Sequence, residues 1–567
     1  MKKVALRSLP LLAAALAMSA CGGSSLRRFA ARPVIWDDDA DRRPFRPAPE
    51  ETHVTNSWPA MDSLLFRPLS RVWLFEPGTR SLNVNALDEV PDSSWYENRL
   101  SRRPMSPAEV ARGACPEQDM DVRRPWRIVA GKVDGATLGF QIEDADENRY
   151  VLKIDRAQQP EQATAADAVV SSIFHAAGYH VPCNRVVHFE RDELVIAADA
   201  TLSRAGGAEE PLTPEHVERV LDAAHRAADG RYRAAVSLFI DGRPIGPWDY
   251  RGTREGDPND VIPHERRREL RGMFVLASWV GRWDARPHNT LSAWVERGSQ
   301  GGYVRHYVID FGECLGLVEG NHRRARRFGH SQWLDTQHVV EDALTLGIVH
   351  RPWDDAPDGP EVLGNFDVEH FDPDEFRPDY WNGAFDARSE ADSAWMARII
   401  ARFDRSHLEA VARLGRYADP AVERELVRVL EGRRARILER YLTRLSPLAD
   451  PRIRSSAAGA ELCVTDLSIT SGLRDAAGRE HSARAYAGEP LTPLATPTVH
   501  HGSTGELCVP LPALSPSRPE DGYVVLDVTA RSPGQDHPAP LRLHLLVSGA
   551  QAQILGLERP ESHAPPG

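Results

Sequence analysis

The chain carries no excess of positive charge. Its 567 residues include 69 lysines and arginines against 82 aspartates and glutamates, which gives a net charge of −13. A nucleic-acid partner usually demands a basic surface that can neutralise phosphates. The composition therefore argues against a protein that binds nucleic acid.

Cysteine is scarce, and several catalytic signatures are missing. None of the cysteines has the paired spacing of a zinc site. The sequence also lacks G-x-S-x-G, H-E-x-x-H and Cys/His signatures, so a hydrolase or protease has no support. The six cysteines are Cys21, Cys115, Cys183, Cys314, Cys463 and Cys508.

Long apolar runs are rare as well. The run Leu9–Met18 is too short to cross a bilayer, and no other apolar run reaches the length of a transmembrane helix. It follows Lys2 and Lys3 and ends in Met18-Ser19-Ala20-Cys21, which resembles a bacterial lipobox. The resemblance implies cleavage before Cys21 and lipidation of its thiol. Gly22 then favours the outer membrane of the cell envelope. The alternative is an ordinary secretory signal with an incidental cysteine.

An exported chain would fold in an oxidising compartment, where cysteines pair. Five cysteines remain after Cys21, so one thiol is left over. Cys463 lies in E-L-C-V-T and Cys508 in E-L-C-V-P, which are similar strand contexts. We predict a disulfide between these two.

A compact α/β segment begins near Trp126. Strands are expected at Arg127–Val129, Leu138–Ile142 and Arg149–Ile154, with a helix over Pro160–Ala177. The first two strands form a hairpin whose Gly131 and Gly135 are candidates to close over phosphates. Their spacing is not the G-x-G-x-x-G of kinases.

The most informative stretch follows a predicted helix at Arg266–Trp283. It reads G-R-W-D-A-R-P-H-N-T-L, then a strand, then Asp310-Phe311-Gly312. Phosphoryl transfer needs a carboxylate that accepts the proton of the attacking hydroxyl, and oxygen ligands that hold magnesium. Asp284 suits the base, and Asn289 and Asp310 suit the metal ligands.

The segment D-A-R-P-H-N-T-L resembles the catalytic loop of the protein-kinase-like superfamily, including HipA-type kinases and aminoglycoside phosphotransferases. Arg286 stands where protein kinases carry lysine. R-Y-V-L-K-I resembles the kinase strand whose lysine binds nucleotide phosphates, which assigns that role to Lys153. The resemblance also implies an acidic helix partner for this lysine, either Asp167 or Glu161. Alternatively, both acids simply solvate the helix.

The resemblance implies an α+β fold with a two-lobed kinase-like domain, and ATP and Mg²⁺ as cofactors. Short alternating strands after Ala457 indicate an all-β sandwich. The predicted order is signal peptide 1–20, tether 21–59, N-terminal extension 60–125, small lobe 126–200, large lobe with a helical insertion 201–450, and β-sandwich 455–560.

We therefore expect a membrane-anchored phosphotransferase that moves the γ-phosphate of a nucleotide to an unknown hydroxyl acceptor. The alternative is an inactive kinase-fold lipoprotein that serves as a binding or scaffold protein of the envelope. The scarcity of nucleotide triphosphate outside the cytoplasm favours the alternative. Retention of Asp284, Asn289 and Asp310 favours the enzyme.

Overall fold

The computed structural model describes most of the chain. The described residues are 28–53, 61–71, 79–117, 122–131, 138–203, 209–318, 327–351, 353–354, 361–456, 459–488, 491–502, 505–514, 522–534 and 538–561. Cys21 and Gly135, and with them the predictions for lipidation and for part of the glycine hairpin, lie outside these residues.

The chain divides into two compact units. The main unit comprises the described parts of Ile35–Ala449 together with Asp466–Ala477. The β unit comprises residues 28–34, Asp450–Thr465 and the described part of Gly478–Gly567. The predicted domain bounds, with a β-sandwich from 455, stay predictions.

The strands of the main unit form two sheets. The strands are β1 (Trp126–Gly131), β2 (Leu138–Glu143), β3 (Arg149–Ile154), β4 (Asn184–Phe189), β5 (Leu194–Ser203), β6 (Glu209–Pro211), β7 (Tyr232–Leu238), β8 (Arg243–Pro244), β9 (Thr290–Glu296) and β10 (Gly302–Val308). The first seven form one sheet in the order β4-β7-β3-β2-β1-β5-β6, and β8–β10 form a second. Within the larger sheet β1 and β5 run parallel, whereas β3 is antiparallel to both β2 and β7.

The helices of the main unit lie before, between and after these strands. They are α1 (Arg67–Arg71), α2 (Pro107–Arg112), α3 (Gln162–Ala177), α4 (Pro214–Asp222), α5 (Arg268–Val280), α6 (Thr336–Thr345), α7 (Gly383–Asp386), α8 (Glu390–Ile400), α9 (Arg405–Ala412), α10 (Pro420–Ile437) and α11 (Leu467–Thr470). Helix α3 ends at Gly178, whose φ of +117° suits the left-handed residue that closes a helix. Among the described residues, none of the helices has the length and apolar character needed to cross a membrane.

The predicted helical insertion after residue 200 is wrong in most of its length. Strand β5 continues to Ser203, β6 follows, and only Pro214–Asp222 is helical before β7. The Ala- and Arg-rich composition favoured a helix, but pairing with neighbouring strands overrides that propensity. Since β7 lies between β3 and β4, the sheet extends well past the predicted lobe boundary at 200.

The main unit has separate buried clusters on its sheet and among its helices. One cluster lines the sheet and includes Trp126, Phe140 and Leu152. Another joins α3, α5 and the carboxyl-terminal helices, with Trp279 and Trp395 fully buried. This mixed α+β arrangement, with one core in the sheet and one among helices, agrees with the coarse fold prediction.

Two residues of the predicted tether make specific contacts, one in each unit. Within the β unit, Phe29 donates its N–H to the hydroxyl of Tyr523 at 3.1 Å. Within the main unit, the carboxylate of Asp41 accepts the N–H and hydroxyl of Ser94. Phe29 and Asp41 therefore have specific partners, although most of residues 28–53 are exposed.

The β unit contains two sheets. Its strands continue as β11 (Leu448–Ser456), β12 (Gly459–Asp466), β13 (Glu480–Ala487), β14 (Thr492–Pro493), β15 (His500–His501), β16 (Glu506–Pro510), β17 (Tyr523–Arg531), β18 (Leu541–Ser548) and β19 (Gln551–Glu558). One sheet has the order β11-β12-β16-β15 and the other β14-β13-β17-β18-β19. The coarse prediction of a β region is therefore right, and a sandwich packing of the two sheets stays a prediction.

Cys463 and Cys508 form a disulfide, as the sequence predicted. They lie directly opposite each other on β12 and β16, with their Cα atoms 4.0 Å apart. A second disulfide joins Cys115 to Cys183. Cys314 is the leftover thiol, and its burial raises the pKa of that thiol to about 12.

Candidate active site

Lys153 lies on β3 in the middle of the large sheet and reaches two carboxylates. Its Nζ donates to Asp167 Oδ2 on α3 at 2.8 Å and to Asp310 Oδ1 at 2.8 Å. We call this arrangement the lysine bridge. It brings together a strand, a helix and the Asp-Phe-Gly segment, as the sequence analysis expected.

The lysine bridge keeps Lys153 charged. Burial would lower the pKa of its ammonium group, but the charges of Asp167 and Asp310 raise that pKa above its ordinary value. The ammonium is therefore a fixed positive charge at neutral pH. Such a charge is suited to binding anionic phosphate oxygens.

Asp167 serves two contacts with its two oxygens. While Oδ2 accepts from Lys153, Oδ1 accepts the backbone N–H of Phe311 at 2.8 Å. The side chain is 1% exposed. The short aspartate thus reaches the lysine without difficulty, since α3 packs directly against both elements.

Glu161, the alternative partner of Lys153, turns elsewhere. Its carboxylate accepts the backbone N–H of Ala418 and lies 4.0 Å from Arg233. Glu161 is the residue before α3 and adopts φ +64°. Its carboxylate contacts the segment that contains Ala418. The structure therefore corrects this assignment in favour of Asp167.

The catalytic loop, residues Trp283–Asn289, is placed by the end of α5. Gly281 adopts φ +66° and closes that helix, which turns the chain into the loop. Asn289 then leads into β9, and the register that pairs Val308 with Thr290 sets Ile309 beside Asn289. The loop and the Asp-Phe-Gly segment consequently lie at the same end of one hairpin.

Arg282 fastens the two ends of that hairpin. Its guanidinium donates to the backbone carbonyls of Asp310 at 2.7 Å, Ile309 at 2.8 Å and Asn289 at 3.2 Å. It also lies 4.6 Å from the ring centre of Phe311. The sequence analysis missed this residue, because an arginine inside a glycine-ended turn has no motif of its own.

Asp284 and Asn289 are in direct contact. Asn289 Nδ2 donates to Asp284 Oδ2 at 2.6 Å and to its backbone carbonyl at 2.9 Å. Both residues are largely buried. The amide nitrogen is thus committed to Asp284, and the amide oxygen Oδ1 points away from it.

Arg286 forms a second arrangement of one cation between two carboxylates. Its Nε contacts Asp284 Oδ1, and its Nη1 lies 3.7 Å from Asp379 Oδ2. We call this the arginine bridge. Burial raises the pKa of the Asp379 carboxyl well above its usual range, and the charge of Asp284 raises it further.

Asp379 belongs to a segment that donates hydrogen bonds to the catalytic loop. Its N–H donates to the carbonyl of Trp283 at 3.0 Å, and Asn382 Nδ2 donates to the carbonyl of Ala285 at 3.1 Å. Asn382 and Ala285 are 97 positions apart in the chain. No spacing signal connects such distant residues, so the sequence did not show this support.

Gly131 has a packing role. It lies in β1 opposite Phe140 and Leu202, and a Cβ there would come within 2.4 Å of the Leu202 side chain. Close contact with the neighbouring strand therefore accounts for this glycine. The assignment of Gly131 to phosphates stays a prediction.

The donor atoms fit a magnesium ion. Mg²⁺ prefers oxygen ligands, chiefly carboxylates supplemented by other oxygens and water. Asp310 supplies a carboxylate, and Asn289 supplies the amide oxygen that its contact with Asp284 turns away. Asp310 adopts φ +56°, an uncommon conformation that often marks functional positions.

Comparison with known proteins adds little. No family model and no curated protein matches the chain. Two similar solved structures are of Golgi casein kinase. One, with Mn and ADP bound, is 10% identical over 56% of this chain and 75% of that chain, with a TM-score of 0.26. The other is 11% identical over 57% and 76%, with a TM-score of 0.23. A likeness of this size supports no residue's role.

Proposed function

We propose that the main unit is a kinase-like phosphotransferase that moves the γ-phosphate of ATP to a hydroxyl acceptor with Mg²⁺. The observation that carries the proposal is the lysine bridge, in which Lys153 joins Asp167 and Asp310 at 2.8 Å each. A structural ion pair alone would not require a catalytic loop with Asp284 and Asn289 on the same hairpin end.

The residues divide the work by their chemistry. Lys153 binds phosphate oxygens as a fixed cation, while Asn289 and Asp310 would hold the metal. When bound, Mg²⁺ supplies charge neutralisation of the phosphates. Asp284 orients the acceptor hydroxyl and accepts its proton, and Arg286 fixes the orientation of that carboxylate.

Nucleotide binding by the purified chain tests the proposal. We expect ATP binding that depends on Mg²⁺, seen by calorimetry, and transfer of the γ-phosphate to an acceptor. Asp310→Ala should remove both, whereas Asp199→Ala, at an exposed strand position, should not change either. Binding without any transfer would instead favour the scaffold protein, and binding of neither nucleotide nor metal would refute the phosphotransferase.

We also propose that the chain is anchored to the bacterial envelope, in the outer membrane, through a lipid on Cys21. The lipobox-like sequence before this residue supports the proposal. Cys21→Ser should move the protein from the membrane fraction to the soluble exported fraction. A variant that stays with membranes would contradict the anchor.

A further inference from the structure

A small cavity of about 30 Å³ lies beside Trp283, the first residue of the catalytic loop. Its wall is mostly apolar, with the rings of Phe366 and Phe371, but it also contains Arg433 and His330. The volume exceeds the roughly 10–15 Å³ that one water needs, and it is far below the roughly 300 Å³ at which small-molecule sites begin. The cavity therefore has room for one or two waters or for a single monatomic ion.

Arg433 on α10 places its guanidinium at this cavity. The residue is 7% exposed, and its Cζ lies 4.3 and 3.9 Å from the ring centres of Phe366 and Phe371, which both line the cavity. Nη2 donates to the carbonyl of Ser278 at 2.8 Å. Nε, in contrast, is buried and has no hydrogen-bond partner among the described residues. Buried donors are normally satisfied, so a group in the cavity that accepts from Nε is expected.

The charge of this guanidinium is also not balanced. Arg233 and Arg268, which are each 1% exposed, lie 3.3 and 2.7 Å from aspartate oxygens. Arg433 makes no ion pair within the described part of the chain, and Asp367, whose charge acts on it, lies 3.4 Å from His370. Burial lowers the pKa of Arg433 to about 9, so the group is still charged at neutral pH. A buried cation without a counter-ion is costly, and an anion would remove that cost.

His330 offers a second donor at the same cavity. Its Nδ1 is buried and has no hydrogen-bond partner among the described residues, and its ring stacks on Trp353 at 4.8 Å. Burial and the charge of Arg433 lower the pKa of His330 to about 4, so the ring is neutral at neutral pH and is free to carry its hydrogen on Nδ1. Asp372, the acidic residue of the wall, is exposed and accepts the N–H of Asp374 at 2.8 Å.

We infer that this cavity binds a chloride ion, held by Nε of Arg433 and Nδ1 of His330. A water would accept from these donors but would leave the charge of Arg433 unbalanced, and the volume excludes polyatomic anions such as a nucleotide phosphate. The site is separate from the lysine bridge. The inference therefore does not rest on the proposed phosphotransferase function.

Bromide replaces chloride in the direct test, because it scatters anomalously. Crystals of the full chain are grown in sodium bromide, and diffraction is measured at the bromine absorption edge. We expect an anomalous peak in the cavity, between Arg433 and His330. An ordered water at this position, without an anomalous peak, would overturn the inference.

Thermal unfolding tests the site in solution. The Tm of the wild type should be about 2–4 °C higher in sodium chloride than in sodium gluconate at equal ionic strength, because a bound anion stabilises the folded chain. Arg433→Met removes the charge and the donor, so this difference should disappear. The matched control is Arg428→Met on the same helix, at a side chain that is 51% exposed and pairs with Glu425. It should keep the chloride effect in full.

A second variant separates the two donors. His330→Phe keeps a ring that stacks on Trp353 but removes Nδ1, so the chloride concentration that gives half of the Tm shift should rise about tenfold. An equal response to chloride in the wild type, Arg433→Met and His330→Phe would identify a general salt effect and refute the site. Loss of the response in Arg428→Met as well would also contradict it.

Discussion

The lysine bridge and the arginine bridge have the same plan, one cation between a deeply buried and a more open aspartate, but they are held differently. In the lysine bridge both contacts are 2.8 Å. In the arginine bridge only the contact to the more open aspartate is close, and the buried Asp379 remains 3.7 Å away. Asp379 and the buried Asp167 are each 1% exposed.

The difference shows how the two bridges can serve different steps. A cation in hydrogen-bond contact with both carboxylates has a fixed position, as phosphate binding requires. In the looser bridge, Asp379 Oδ2 has no hydrogen-bond partner among the described residues. A buried acid of that kind favours its protonated form, so the charge near Asp284 depends on pH.

The largest effect is expected at the open end of the lysine bridge. Asp310→Ala removes a metal ligand and one partner of Lys153. We expect transfer to fall by on the order of a thousandfold, with loss of Mg²⁺-dependent ATP binding in calorimetry. Retained binding would show that Asp310 is not the metal ligand.

The open end of the arginine bridge should respond in a contrasting way. Asp284→Ala should lower kcat by about 10²–10⁴-fold, because the general base is lost. The affinity for ATP should stay within about twofold, since the residue contacts the acceptor hydroxyl and not the phosphates. Equal losses of ATP binding in this variant and in Asp310→Ala would remove the distinction between the two bridges.

Removing the cation of the arginine bridge should change the pH profile of the reaction. Arg286→Gln leaves the carboxylates of Asp284 and Asp379 side by side without a neutralising charge, so the pair takes up a proton more readily. We expect the acid limb of the profile of kcat against pH to move upward and kcat at neutral pH to fall about tenfold. If the acid limb of the profile of kcat against pH does not move, Arg286 has only a packing role.

The smallest effect concerns stability. The pKa of Asp379 is raised on folding, so the folded chain holds its proton at a pH where the unfolded chain has lost it. The free energy of unfolding should therefore fall as pH rises from the ordinary value of 3.8 toward the raised pKa. In Asp379→Asn this decrease should disappear, with a gain of about 1–2 kcal/mol at neutral pH. Denaturant titration at several pH values measures it, and a parallel pH dependence in both proteins would contradict it.

Short-range pattern was sufficient for much of the site. The strand Arg149–Ile154 has its predicted limits, and the helix ends at the predicted Ala177 but begins at Gln162, two residues later than predicted. Alternation and a closing glycine are local signals. The spacing from Asp284 to Asn289 likewise identified two residues that contact each other. The functional roles of these residues stay predictions.

The missed features depend on contacts that are distant in the chain. Asp379 and Asn382 contact the catalytic loop from a distant part of the chain, and Asn382 lies 97 positions from its partner Ala285. Arg282 binds backbone carbonyls, which every residue type has, so no motif in the sequence marks these contacts. The wrong insertion after 200 has the same origin. Strand pairing across the sheet decides the structure there, whereas composition describes only the isolated segment.

The disulfide between Cys115 and Cys183 ties the lysine bridge to the redox state of the compartment. Asn184, the residue after Cys183, donates to the carbonyl of Asp167 at 3.2 Å, and α2 contacts α3 through Ser172. The sulfur–sulfur bond thus joins the two segments that make these contacts with α3. A chain that matured under reducing conditions would lose this link, and α3 would be held by its hydrogen bonds, the lysine bridge and packing.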